Sequence, residues 1–168
     1  ITGATGLIGQ EIVKVCHDNN CVVHYLTTSK NKLSSQDNYI GFYWNPDTKE
    51  IDTSCFEGVD TIINLVGASI SKRWTTDYKK EILSSRTETA KLLFDSVKTN
   101  NFQINHFISA SAIGIYPSSQ TNYYEEDFDT VSESFLGQVV EKWEEAVNIF
   151  SSIGIKVSKI RIGLELSE

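Results

Sequence analysis

The chain begins Ile1-Thr2-Gly3-Ala4-Thr5-Gly6-Leu7-Ile8-Gly9. Its three glycines, each three residues from the next, stand between two strand-forming residues and an amphipathic run. Few backbones need that pattern. A main chain approaches a pyrophosphate closely only where side chains are missing. Gly3 suits a tight turn, Gly6 lets phosphates lie against the backbone, and Gly9 lets a new helix pack on the strand. The free N–H groups and dipole of a helix starting near Leu7 would then face the anion. Gly3, Thr5, Gly6, Leu7, Ile8 and Gly9 are therefore expected to bind a dinucleotide. The competing reading of the same glycines is a plain tight turn.

Strand and helix signals alternate along the rest of the chain. Ile1-Thr2 reads as the tail of a first strand, and Leu7 to about Asn19 as a helix. Cys21–Thr27 and Tyr39–Trp44 read as strands, with a polar loop over Ser29–Asn38 between them. Thr61–Val66 is an unalternating apolar run, as expected of a parallel strand buried on both faces. A helix over Thr76–Thr99 leads to a strand at His106–Ser111. Tyr116–Asp129 is a polar, acidic loop. A strong helix over Ser132–Ser152 precedes a last strand at Ile155–Ile162. This alternation implies an α/β fold: a doubly wound parallel sheet, three-layer α/β/α, of the Rossmann NAD(P)-binding kind.

The 168 residues make room for one domain, expected over 1–168, with the start of the first strand and a C-terminal substrate-binding part missing. The net charge is −7, and no Lys/Arg run appears, which argues against nucleic acid and anionic membrane surfaces. The apolar stretches are far shorter than a membrane span. Cys16, Cys21 and Cys55 show no C-x-x-C spacing; reduced, mostly buried thiols in a cytoplasmic compartment are expected. His17, His24 and His106 form no ligand cluster, so no metal site is expected.

The end of the second strand bears on the cofactor. An acidic residue there accepts from a ribose 2′-hydroxyl and repels a 2′-phosphate. Here the strand runs into Thr27-Thr28-Ser29-Lys30, with no acid before Asp37. Thr28, Ser29 and Lys30 would suit a phosphate, so NADP(H) is expected ahead of NAD. A solvated loop charge is the other reading of Lys30 and Lys32.

Several segments carry a family resemblance: the glycine motif; Trp44-Asn45-Pro46; Asn64-Leu65-Val66-Gly67-Ala68-Ser69-Ile70; Lys72-Arg73-Trp74-Thr75; Ser84-Ser85-Arg86; Ser109-Ala110-Ser111-Ala112-Ile113-Gly114-Ile115-Tyr116; and Arg161-Ile162-Gly163. Together they resemble the extended short-chain dehydrogenase/reductase family, in particular its atypical branch of epimerase family proteins related to nucleoside-diphosphate-sugar epimerases. Asn45 stands where that branch usually has Asp, and Pro117 where it usually has Gly. The branch also usually has an Arg near Thr28, which this chain lacks.

The resemblance implies that Val66, Gly67 and Ala68 meet the ribose and nicotinamide half of the cofactor. It places Ser111 at the position of the family's catalytic Ser, which hydrogen-bonds a substrate carbonyl or hydroxyl. Ser109 is the alternative for that role and is otherwise expected at the cofactor; a structural hydroxyl is the third reading. The family's Tyr-x-x-x-Lys pair, its proton-transfer machinery, is absent. Aligning Glu144 with the family's downstream Glu puts Leu136 and Val140 at the two positions. The atypical branch lacks the pair as well.

Other residues offer substitutes. Arg73 could hold an anionic substrate group through its planar fork, and Trp74 could wall the pocket; a solvated cation and a core Trp are the alternatives. Tyr116 could donate a proton if its loop folds back, or simply pack. Glu125, Glu126, Asp127 and Asp129 read as a solvated loop, and Glu141, Glu144 and Glu145 as an outer helix face. The expected function is an NADP(H)-dependent oxidoreductase or epimerase-like enzyme acting on a small polar, sugar-nucleotide-like substrate, able to form a homodimer. The alternative is a non-catalytic NADP(H)-binding sensor or regulatory module.

Overall fold

The computed structural model describes residues 1–163. Residues 164–168, the tail of the expected 1–168 domain, lie outside the described residues. The element order is α1 (Leu7–Asp18), β1 (Val23–Thr27), β2 (Ser35–Gln36), β3 (Tyr39–Asn45), β4 (Glu50–Ile51), β5 (Thr61–Asn64), α2 (Thr76–Thr99), β6 (His106–Ala112), α3 (Phe135–Asn148) and β7 (Lys156–Ile162).

Thr2 bridges Leu26 of β1 on one side and Asn64 of β5 on the other, both in parallel. It is the first strand position and joins two half-sheets into one. The spatial order is therefore β3, β1, Thr2, β5, β6, β7, every neighbour parallel. This is the doubly wound order, which reverses direction at Thr2. The short β2 and β4 pair antiparallel with β3 and lie off the main path.

Two short strands thus lie where no strand signal stands in the sequence. Ser35-Gln36 lies within the polar stretch, and Glu50-Ile51 follows the Asn45-Pro46 turn. Both are two-residue pairings, too short for any periodicity to reveal. The last helix ends at Asn148 and tightens into a 3-10 turn over Ile149–Ile153, which Gly154 closes at φ 81°. β5 is also shorter than the apolar run suggested. It ends at Asn64, and its Thr61 is exposed while Ile63 is half-buried.

The core lies between the sheet and helices α2 and α3. Leu93 and Val97 of α2 and Val147 of α3 are buried against Phe107, whose ring stacks on Phe150 at 3.8 Å between centroids. Burying each such side chain contributes about 1.5–3 kcal/mol. Side chains cap two helix starts: Thr75 accepts from Tyr78 N, and Ser134 from Gly137 N. The start of α1 is different. Its N-cap is Gly6, which has no side chain to offer, so its first N–H groups stay open.

Of the expected buried thiols only Cys55 is buried; Cys16 is half-buried and Cys21 exposed, and all three are free. Cys21 lies just before β1 begins at Val23, outside the sheet that would have covered it. Among the described residues no helix is long and apolar enough to cross a membrane, and no His/Cys/Asp/Glu cluster could hold a metal.

Candidate dinucleotide site

The carboxyl ends of the parallel strands converge around the switch point at Thr2. The Thr2 hydroxyl donates to Asn64 Oδ1 at 2.8 Å and accepts from Leu65 N and Val66 N. Asn64 Nδ2 in turn reaches Ser109 Oγ at 3.4 Å. All three side chains are buried. This polar thread ties the exits of three central strands together and sets the glycine loop beside the loop that follows β5.

Each glycine of the loop has a physical reason. Gly3 sits at φ +68°, and a Cβ there would stand 3.3 Å from the Leu65 backbone. A Cβ on Gly9 would fall 2.2 Å from Gly3 O, an impossible contact. Gly6 N donates to Gly3 O at 3.0 Å, closing the turn, and Gly6 itself is exposed. The result is a bare backbone rim at the N-terminus of α1.

That rim opens on a cleft of ≈ 470 Å³, walled by Leu7, Ile8, Leu65, Gly67, Ala68 and Arg86 among others. A hollow of similar size, ≈ 460 Å³, lies at the opposite, amino-terminal end of the strands among Val22, Cys55 and Val59. It has no glycine loop and sits at the end of the sheet where such folds do not bind ligands.

The loop after β5 is gripped from α2. Ala68 N donates to Ser85 Oγ at 2.9 Å, and Arg86 Nη2 donates to Ala68 O at 3.2 Å. Consecutive residues thus hold both sides of one backbone unit. Gly67 lies against the guanidinium: a Cβ there would be 2.9 Å from Arg86 Cζ.

A second polar centre lies at the ends of β6 and β7. Glu144 is 6% exposed, not on an outer face as the sequence suggested. Its Oε1 accepts from Ser111 Oγ at 2.5 Å and Arg161 Nε at 3.0 Å; its Oε2 accepts from Arg161 Nη2 at 3.1 Å and pairs with Lys159 at 3.2 Å. Burial alone would raise the carboxyl pKa. The hydrogen bonds from Arg161 and Ser111 and the Lys159 charge outweigh it and hold Glu144 below its ordinary value. The remaining Arg161 bonds, from Nη1, go to Tyr116 Oη at 2.7 Å and Glu126 O at 2.9 Å. Tyr116 stacks on Tyr124, and Phe128 packs beside both. The acidic loop folds back through this cluster, while the side chains of Glu125, Glu126, Asp127 and Asp129 stay in exposed positions.

The expected site residues fall into separate groups. Gly3, Gly6, Leu7, Ile8, Gly9, Gly67 and Ala68 line one cleft. Thr5 is exposed beside it, its carbonyl accepting from Gln10 Nε2. Thr28, Ser29 and Lys30 lie beyond the end of β1, with Lys30 Nζ 4.8 Å above the Tyr43 ring. Val66 is half-buried. Ser109 is fully buried with its hydroxyl donated to Ala110 O, and Ala110 reaches the cleft instead. Arg73 is exposed. Trp74 donates to Ile70 O and packs at 5.5 Å from Phe135. Leu136 is half-buried and Val140 buried, both on α3.

Two residues escaped sequence reasoning. Arg86, which the sequence marks only within Ser84-Ser85-Arg86, lines the cleft, and Glu144, which reads as an outer helix face, is buried. A signal existed for the second: Glu144 stands four residues after Val140 and beside Trp143, on the apolar stripe, and Lys159 and Arg161 share one face of β7.

A family model described as the NAD dependent epimerase/dehydratase family matches residues 1–135. An epimerase family protein of Staphylococcus saprophyticus is 33% identical over 99% of this chain and 55% of its own length. A nucleoside-diphosphate sugar epimerase of Corynebacterium glutamicum has the same fold with a TM-score of 0.76 and 25% identity, covering 99% of this chain and 33% of that one. A human epimerase family protein solved with NADPH gives a TM-score of 0.67 at 24% identity, over 86% of this chain and 46% of that one. The chain spans about half the length of the curated relatives it matches. It belongs to the NAD dependent epimerase/dehydratase family.

Proposed function

We propose that this chain is the dinucleotide-binding part of an NADP(H)-dependent oxidoreductase or epimerase-like enzyme whose substrate is small and polar, of the sugar-nucleotide kind. The observation that carries this reading is the bare rim of Gly3, Gly6 and Gly9 opening on a cleft at the sheet's switch point. A cradle in which a Cβ at Gly9 would strike Gly3 O fits a ligand that needs backbone contact.

In this reading the open N–H groups at the start of α1 hold the diphosphate. Thr28, Ser29 and Lys30, with no acid among them, receive the 2′-phosphate. The backbone of Gly67 and Ala68 meets the far ribose. A bound nicotinamide supplies hydride transfer, and the protein positions and polarises. Ser111 donates its hydroxyl hydrogen bond to Glu144 Oε1, so its oxygen lone pairs remain to accept from a substrate hydroxyl. Arg73, exposed and without an ion-pair partner among the described residues, offers a planar fork for an anionic substrate group. The setting in this reading is cytoplasmic, where thiols stay reduced.

The test is NADPH consumption by the full-length protein against a panel of carbonyl compounds and nucleotide sugars. Turnover that falls at least tenfold in Ser111→Ala and in Arg73→Ala is expected. No turnover with any member, or turnover indifferent to both changes, overturns the enzyme reading.

A second reading rests on Leu136 and Val140. Neither side chain can move a proton, and Val140 is buried. An intact cradle in a chain with these two residues on α3 suits a module that senses NADP(H) and passes its state to a partner. A partner whose affinity does not change with NADP(H) would count against it.

A further inference from the structure

Arg86 is the one charged side chain lining the cleft among the described residues. Helix α2 carries it below the loop that follows β5. Nη1 donates to Ile82 O at 2.8 Å and Nη2 to Ala68 O at 3.2 Å. The guanidinium carbon lies 5.1 Å from the centre of the Trp143 ring. A guanidinium has five N–H donors. Two are used among the described residues, which leaves three for a ligand.

Among the described residues no carboxylate compensates this charge. The ion pairs among the described residues involve Lys80, Lys91, Lys159 and Arg161, and not Arg86. Burial pushes the Arg86 pKa below its ordinary value. Even so, an arginine stays charged at any physiological pH. A cation that gives up water without gaining an anion is held at a cost.

The glycine cradle has the opposite shortage. Residues 3–9 carry no charged side chain. The α1 dipole supplies only about half an elementary charge, less than a diphosphate brings. Gly67 links the two facts. Its missing Cβ would stand 2.9 Å from Arg86 Cζ and 3.0 Å from Nη2, so any side chain there would cover or displace the guanidinium.

We propose that Arg86 binds a phosphoryl group of the ligand in this cleft and supplies the counter-charge that the glycine cradle lacks. The inference rests on the dinucleotide reading above. Arg86 then has two tasks: Nη2 holds Ala68 O, and the free N–H groups receive phosphoryl oxygens.

The experiment compares ADP with adenosine as probes, measured by calorimetry on the full-length protein, alongside NADPH. The preference for ADP should fall about tenfold to a hundredfold in Arg86→Gln. It should stay within about threefold of the original in Arg86→Lys, which keeps the charge. A merely structural latch to Ala68 would weaken both probes together and leave their ratio alone; that result overturns the proposal. Where Arg86→Gln does not fold, Arg86→Met, which removes the charge and keeps an unbranched side chain, decides: a preference that falls about tenfold or more supports the proposal, and a retained one overturns it. If the unaltered protein binds neither ADP nor NADPH, the dinucleotide reading itself has failed and this one with it. If the unaltered protein binds both and Arg86→Gln keeps the preference, only the role of Arg86 falls.

Discussion

Arg161 closes on Glu144 at two points, Nε to Oε1 at 3.0 Å and Nη2 to Oε2 at 3.1 Å. The pair joins the last strand to the last helix, and its side chains are 17% and 8% exposed. Geometry this close, with Ser111 and Lys159 on the same carboxylate, repays the loss of water that burial demands. Removing one partner leaves the other buried and unpaired. Glu144→Ala is therefore expected to lose roughly 3–5 kcal/mol of unfolding free energy in a urea titration. The pH dependence has a definite sign. Glu144 has a native pKa depressed below 4.5, so its contribution is full above that value and is lost as the pH falls through the native one. Urea midpoints that fall just as steeply with acid in Glu144→Gln as in the unaltered protein would contradict this.

The alternation of strands and helices, and with it the parallel doubly wound class, was legible because its signals are local. Gly3, Gly6 and Gly9 announce the first turn, and the 3.6-residue period from Tyr78 to Val97 gives α2 its observed ends, Thr76 and Thr99. What the sequence hid were pairings between distant residues of opposite polarity. Glu144 looked solvated because a lone acid usually is; only the approach of β7 brings Arg161 and Lys159 to it. Arg86 stands out in the sequence only within the Ser84-Ser85-Arg86 segment, because its contact with Gly67 crosses a loop with no periodicity. The two-residue strands β2 and β4 depend wholly on β3 for their pairing. Local pattern carries local structure; partners chosen by the tertiary fold leave almost no local trace.

Gly9→Ala tests the cradle most directly. Its Cβ would lie 2.2 Å from Gly3 O and 2.8 Å from Ala4 Cα, so the turn itself must move. A stability loss of about 1–3 kcal/mol is expected from overpacking. NADPH binding, followed by fluorescence titration, should weaken much more than stability alone explains. Gly58→Ala is the control. Its φ of +69° strains any side chain, yet nothing lies within 4 Å of the new Cβ. It should cost about 1–2 kcal/mol and leave NADPH affinity unchanged.

Lys30→Glu tests the choice of nucleotide. Lys30 lies exposed beyond the end of β1, where a 2′-phosphate is proposed to sit, and the Tyr43 ring steadies it at 4.8 Å. Reversing the charge should lower the NADPH-to-NADH affinity ratio about tenfold or more. NADH affinity itself should barely change. A drop shared equally by both nucleotides would place Lys30 outside the nucleotide-discriminating contacts.

Thiol reactivity tests the packing independently of any ligand. The thiolate is the reacting species, so burial and pKa act together. Cys55 is 5% exposed, and burial pushes its pKa up to about 12. At pH 8 its thiolate fraction is then about one in ten thousand. Cys21 is exposed, and Cys16 is half-buried with its pKa raised by the same cause. A disulfide reagent at pH 8 should therefore label Cys21 first and Cys16 more slowly. Cys55 should react only as the protein unfolds, its rate rising with urea in step with the unfolding transition. Mass spectrometry of the labelled peptides gives the order. Early labelling of Cys55 in native buffer would mean that the β1–β5 side of the core opens far more readily than its packing around Phe56 and Leu26 implies.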